Sequence, residues 1–90
     1  MARPTQVSVG LVHLVSYEHM GMAAVRCVAG CECEPQVIDA HQRDGRRASV
    51  FVPHEFNATM TSSCSLEVRV LERTSSGEHK FKLVEAIVGA

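Results

Sequence analysis

Ser65-Leu66-Glu67-Val68-Arg69-Val70-Leu71-Glu72 sets the fold class of this chain. Leu66, Val68 and Val70 alternate with Glu67 and Arg69, a period of two that places one face on a core and the other in water. Lys80–Val88 opens the same way, with Phe81 and Leu83 predicted inward and Lys80 and Lys82 outward. Between them Arg73–Glu78 carries Ser75, Ser76 and Gly77, and the three segments together predict a β-hairpin with a connection longer than two residues.

Upstream the pattern continues. Gln6–Tyr17 reads as one long strand or two bent near Gly10. Met22–Val28 is the next strand, with Ala23, Val25 and Cys27 on one face, Arg26 on the other and Gly30 as its break. Val37–Ala40, Ala48–Val52 and Phe56–Thr61 read as short strands, the last two separated by Pro53. No window of a dozen residues keeps helical periodicity with caps at both ends. Short strands joined by turns predict an all-β, antiparallel β-sandwich (jelly-roll-like) or small barrel, as a single domain over residues 1–90.

Composition narrows the function classes. The chain is 46% hydrophobic and 4% aromatic without tryptophan, so its core is aliphatic. A net charge of −1 is not the footprint of a nucleic-acid binder. No run approaches the length of a membrane-spanning helix, and no membrane insertion is expected. Val7–Val15 is read as a strand rather than a signal peptide, so a secreted form would take its signal from elsewhere.

Four cysteines stand out: Cys27, Cys31 and Cys33 close together, and Cys64 alone. Strand phase points Cys27 and Cys64 into the core, and a bond between them would close about 37 residues, worth ~4 kcal/mol in the chain-entropy model. Cys31–Cys33 is disfavoured as a strained small ring. Two full pairings stay open: Cys27 with Cys31 or Cys33, and Cys64 with the other. Cys27–Cys64 with two remaining thiols is a third arrangement. The competing chemistry is zinc held by Cys27, Cys31, Cys33 and Cys64, with His41 as a substitute ligand, in an intracellular zinc-stabilised interaction module. The spacing, three cysteines on one side and one on the other, does not fit the common paired knuckles. The disulfide reading leads, and no cofactor or resident metal is expected. Asn57-Ala58-Thr59 fits the N-glycosylation acceptor and favours the same oxidising compartment.

Other chemistry is thin. No Gly-x-Ser-x-Gly elbow occurs, and Ser75, Ser76, Glu78 and His79 lie in one predicted turn, too exposed to desolvate a nucleophile. Glu18-His19-Met20-Gly21-Met22 offers nitrogen and thioether ligands to copper(I), although methionines more often fill core gaps. Arg43, Arg46 and Arg47 around Asp44-Gly45 could hold a carboxylate or sulfate. With His41, Glu78 and His79 they form the binding candidates. No catalytic residue is assigned, and the chain is expected not to be an enzyme. A small subunit of a larger complex is a further alternative.

Ser16-Tyr17-Glu18-His19-Met20-Gly21, Cys27, Gly30-Cys31-x-Cys33, Asp39-Ala40-His41, Cys64, Val68-x-Val70 and Thr74 through Lys82 carry a resemblance. From Leu14 to Val88 the chain is similar to the β-rich C-terminal domain of plant and green-algal proteins in which an SGNH-type (GDSL-like) domain comes first. The resemblance implies secretion or a Golgi-lumen setting. It also implies a non-catalytic accessory domain beside an esterase-like or acyltransferase-like partner, acting on cell-wall polysaccharide or another glycan. The hydrolase blocks of that partner are not in this sequence, so no catalytic residue carries over.

Overall fold

One strand of 21 residues, Val50–Val70, organises the protein. Laid straight at ~3.3 Å per residue it would reach roughly 70 Å, yet the longest dimension of the molecule is 50 Å. The strand must bend. The computed structural model describes residues 4–42 and 47–89, with five strands: β1 (Thr5–Val15), β2 (Met22–Cys33), β3 (Gln36–Asp39), β4 (Val50–Val70) and β5 (Leu83–Gly89). They make one antiparallel sheet in the order β3-β2-β4-β1-β5.

The two halves of β4 serve different neighbours. Residues 50–60 pair with β1 from Val15 to Thr5, and residues 65–70 pair with β2 from Ala29 to Ala23. The β2 register then jumps, so that Ala29 faces Ser65 but Cys31 faces Met60. Residues 61–64 of β4 thus stand against Gly30 alone. This is a corner, and β2 turns with it: Cys27 and Cys33 are six positions apart, which is ~20 Å in an extended strand, but their Cα atoms lie 5.7 Å apart.

Gly30 makes the corner possible. Its φ is +72°, and a Cβ there would come within 1.9 Å of the Ser63 carbonyl oxygen. Bulges and kinks of this kind are the usual means by which a sheet folds over itself.

Folding at the corner lets strands that are not sheet neighbours share a core. Val7, Val9 and Leu11 of β1, Val25 of β2, Ile38 of β3, and Phe56 and Ala58 of β4 form one buried cluster. Cys27, Cys33, Met60, Leu66, Val68 and Phe81 pack against it. Burying an aliphatic side chain as fully as Leu11 (1% exposed) is worth about 1.5–3 kcal/mol. The His54 ring on β4 and the Gln36 side chain on β3 meet at 2.9 Å across the same interior.

The all-β antiparallel class is therefore what the chain adopts, as one continuous sheet. Several local expectations are corrected. Ser65–Glu72 and Lys80–Val88 do not form a hairpin: β5 pairs with β1, and the end of β4 pairs with β2. Alternation revealed the inward faces of Leu66 and Val68 but not their partner strand. Leu83, predicted inward, is exposed like all of β5, and Val70 is exposed as well. Pro53 does not divide two strands. It lies in the half of β4 whose ladder runs with β1 on one side, so its missing N–H is tolerated on the other. Of the two readings of Gln6–Tyr17, the single long strand holds: β1 runs through Gly10, which pairs with Glu55 and Ile87.

Candidate functional site

Two clusters of chemically able residues emerge. The first is the corner. Cys27 bonds to Cys33 within β2, and Cys31 bonds to Cys64 across to β4. This is one of the two full pairings the sequence left open. No free cysteine remains among the described residues, which corrects both the Cys27–Cys64 arrangement and the zinc reading: a disulfide sulfur is not the thiolate that zinc requires. Cys27 packs against the core, as strand phase predicted, while Cys64 is not part of that cluster; the corner swings Cys33 back over Cys27 and brings Cys31 onto Cys64. The Sγ atoms of Cys27, Cys31 and Cys64 all lie within 4.8 Å of one another. His41 is not in this group.

Beside the corner runs an open groove of about 580 Å³, lined by Gln6, Glu32, Cys33, Glu34, Asn57 and Thr59 among others. Asn57, the glycosylation candidate, is exposed on β4 in register with Ser8. Two positions on, the Thr59 hydroxyl accepts a hydrogen bond from the Gln6 amide at 3.3 Å. The sequon is thus presented on a strand, with the outer disulfide in the same groove.

The second cluster is a clasp of three loops. The turn at residues 16–21 is gripped by the segment 71–80. Lys80 N–H donates to His19 O (2.8 Å), Gly21 N–H to Lys80 O (2.7 Å) and Leu71 N–H to Met22 O (2.8 Å). The Ser76 hydroxyl donates to the Met20 carbonyl, and the Thr74 hydroxyl to Glu78 O (2.6 Å). His19, held at φ 66°, contacts the Glu78 carboxylate. The His79 ring donates through Nε2 to Glu72 O at 2.7 Å. The third loop joins through Asp39, whose Oδ1 accepts from both the His41 N–H (3.0 Å) and the Ser75 hydroxyl (3.1 Å).

Of the binding candidates, His41, Glu78 and His79 are therefore brought into one region. Glu78 and His79 spend their side chains on closing the clasp. The His41 Nδ1 is buried without a hydrogen-bond partner among the described residues. Arg47 is exposed, while Arg43 and Arg46 lie outside the described residues. The copper expectation is corrected in part: Met20 is fully buried beneath the clasp, away from a ligand role beside exposed His19. Ser75 and Ser76 are committed to Asp39 and Met20 rather than to a base.

Sequence reading missed Thr74 and Asp39 as organisers of the clasp. The hydroxyl spacing of Thr74-Ser75-Ser76 was the available signal, since such side chains cap local backbone groups. It also missed His54 as a core neighbour, whereas His13, in its apolar strand, reads as a core or edge residue. His13 is buried and stacks on Phe81 with centroids 5.5 Å apart. Burial, and then the nearby His13, hold the His54 pKa below its ordinary value. No protein-family model, curated protein or solved structure matches this chain.

Proposed function

We propose that this domain is a non-catalytic accessory module of the secretory pathway, stapled by its disulfides and associated with glycan or cell-wall polymer. The observation that carries the reading is the pairing of all four cysteines at one corner of a small sheet. Structural disulfides persist in oxidising compartments, and small domains with modest cores depend on them. The exposed Asn57 of the sequon agrees with that setting. Arg47, His41 and the 76–79 loop are the candidate contacts for an acidic or hydroxyl-rich polymer.

An enzyme partner of the SGNH type fits the open edge of the sheet. β5 presents Leu83, Val84, Ile87 and Val88 to solvent with no strand beyond it among the described residues, and such an edge accepts another protein's strand or surface.

The test is expression of the chain behind an added secretion signal in eukaryotic cells, followed by intact mass before and after reduction and glycosidase treatment, and by pull-down on wall polysaccharides. Two disulfides, a glycan on Asn57 and retention by at least one polymer are expected. Retention in the cytosol with free thiols, or no binding to any polymer, would overturn the secretory or the glycan half of the proposal respectively.

A further inference from the structure

One disulfide opens onto the groove and the other does not, although Cys64 is half buried like Cys33. Cys33 lines the open groove and is only half buried, so its sulfur is where a dissolved or protein dithiol arrives. Cys31, in the other bond, is 9% exposed. Between them stands Cys27, bonded to Cys33 and within 4.8 Å of both Cys31 and Cys64. Thiol–disulfide exchange needs a thiolate next to a disulfide sulfur, and the Cys27 Sγ lies within 4.8 Å of both sulfurs of the second bond.

A second feature marks the leaving group. Cys31 Sγ lies 3.5 Å from Ala29 O and 4.0 Å from Ser65 O. As a disulfide sulfur it has no proton to donate. As a thiol it would find two carbonyl acceptors already in place.

We propose that the corner is a thiol–disulfide relay with Cys27 as its exchange point, carrying reduction inward from Cys33 in the groove to the Cys31–Cys64 bond. This is an activity toward dithiols and stands whether or not Asn57 carries a glycan. The first thiolate of the dithiol bonds Cys33 Sγ, and the Cys27–Cys33 bond breaks with its electron pair on Cys27. The Cys27 thiolate then bonds Cys64 Sγ, and the Cys31–Cys64 bond breaks with its pair on Cys31, which takes up a proton. The second thiolate of the dithiol displaces Cys33, which also takes up a proton, and the reagent leaves as its own disulfide. One dithiol loses two electrons and two protons. The chain keeps one disulfide, Cys27–Cys64, and gains thiols at Cys31 and Cys33.

The product bond joins two sulfurs already within 4.8 Å of each other. Cys27 pairs with Leu66, and Cys64 stands two residues from Leu66 on the same strand face.

The test uses the intact oxidised protein and one equivalent of dithiothreitol. Exchange is quenched with acid, thiols are labelled with N-ethylmaleimide at low pH, and the bonds are mapped by tandem mass spectrometry. The expected two-electron product carries label on Cys31 and Cys33 and a Cys27–Cys64 bond. Label on Cys27 and Cys33 with Cys31–Cys64 intact would overturn the relay. So would a Cys27–Cys31 bond with label on Cys64, because it makes Cys64 and not Cys31 the group released.

Discussion

Gly30 and the Ser63 carbonyl occupy space that only a hydrogen can share: a Cβ on Gly30 would stand 1.9 Å from that oxygen. The contact lies where both β2 and β4 turn, so it fixes how one sheet folds over its own core. Substitution Gly30→Ala must relieve both the clash and the positive φ of 72°. A cost of at least ~2 kcal/mol is expected, from a left-handed non-glycine residue and the backbone shift together. Urea unfolding of the variant checks it, with the midpoint falling and the slope unchanged.

The two disulfides should differ in worth. Cys31–Cys64 spans 33 positions and Cys27–Cys33 spans six. In the chain-entropy model these amount to about 4 and about 2 kcal/mol. The double variant Cys31→Ser/Cys64→Ser should therefore lose more stability than Cys27→Ser/Cys33→Ser. Denaturant curves of the two measure the difference directly.

The clasp rests on close backbone approach as well as hydroxyls. A Cβ on Gly21 would lie 2.7 Å from the His79 Cα. Gly21→Ala should lift the segment 71–80 off the turn at residues 16–21 at a cost of about 1–3 kcal/mol. Hydrogen exchange at the Leu71 and Lys80 amides, both bonded in the clasp, should speed up while exchange in β1 stays slow.

His54 gives the fold a pH slope. Its folded pKa is lowered from 6.5 by burial and by His13. The unfolded chain therefore binds the proton more readily, and stability rises with pH through that range. As pH falls below about 6.5, protonation of the unfolded state draws the equilibrium away from the fold until the folded His54 also titrates. His54 is half-buried, so solvent tempers the effect. Melting temperatures from pH 8 to pH 5 should fall, and His54→Gln should flatten the curve.

Some strand faces were legible in the sequence; the face of Leu83 and the strand partners were not. Val25, Leu66 and Val68 turn inward because alternation is a local property of the pleat. The partner of Leu83–Gly89 depends on which edges the corner leaves open, and no local pattern encodes that. Pro53 reads as a break, yet it is harmless where β4 has one neighbour. Gly30 reads as a break and is one in shape, although pairing resumes on both sides of it. For the site, the cysteines and Asn57 were visible as types and spacings. Their connectivity was not, because it follows from the turn at Gly30 that brings Cys33 back over Cys27.

The corner and its two bonds are the claim on which stability, compartment and relay all depend. The most direct measurement is non-reducing peptide mapping of the untreated protein with trypsin and a glutamate-specific protease. Cleavage after Arg26, Glu32 and Glu34 isolates Cys33 from the peptide holding Cys27 and Cys31, and tandem mass spectrometry that fragments this peptide between the two assigns each to its partner. The expected map joins Cys27 to Cys33 and Cys31 to Cys64, with no thiol available to alkylation. A Cys27–Cys64 bond in the untreated protein, or four alkylated cysteines, would contradict it.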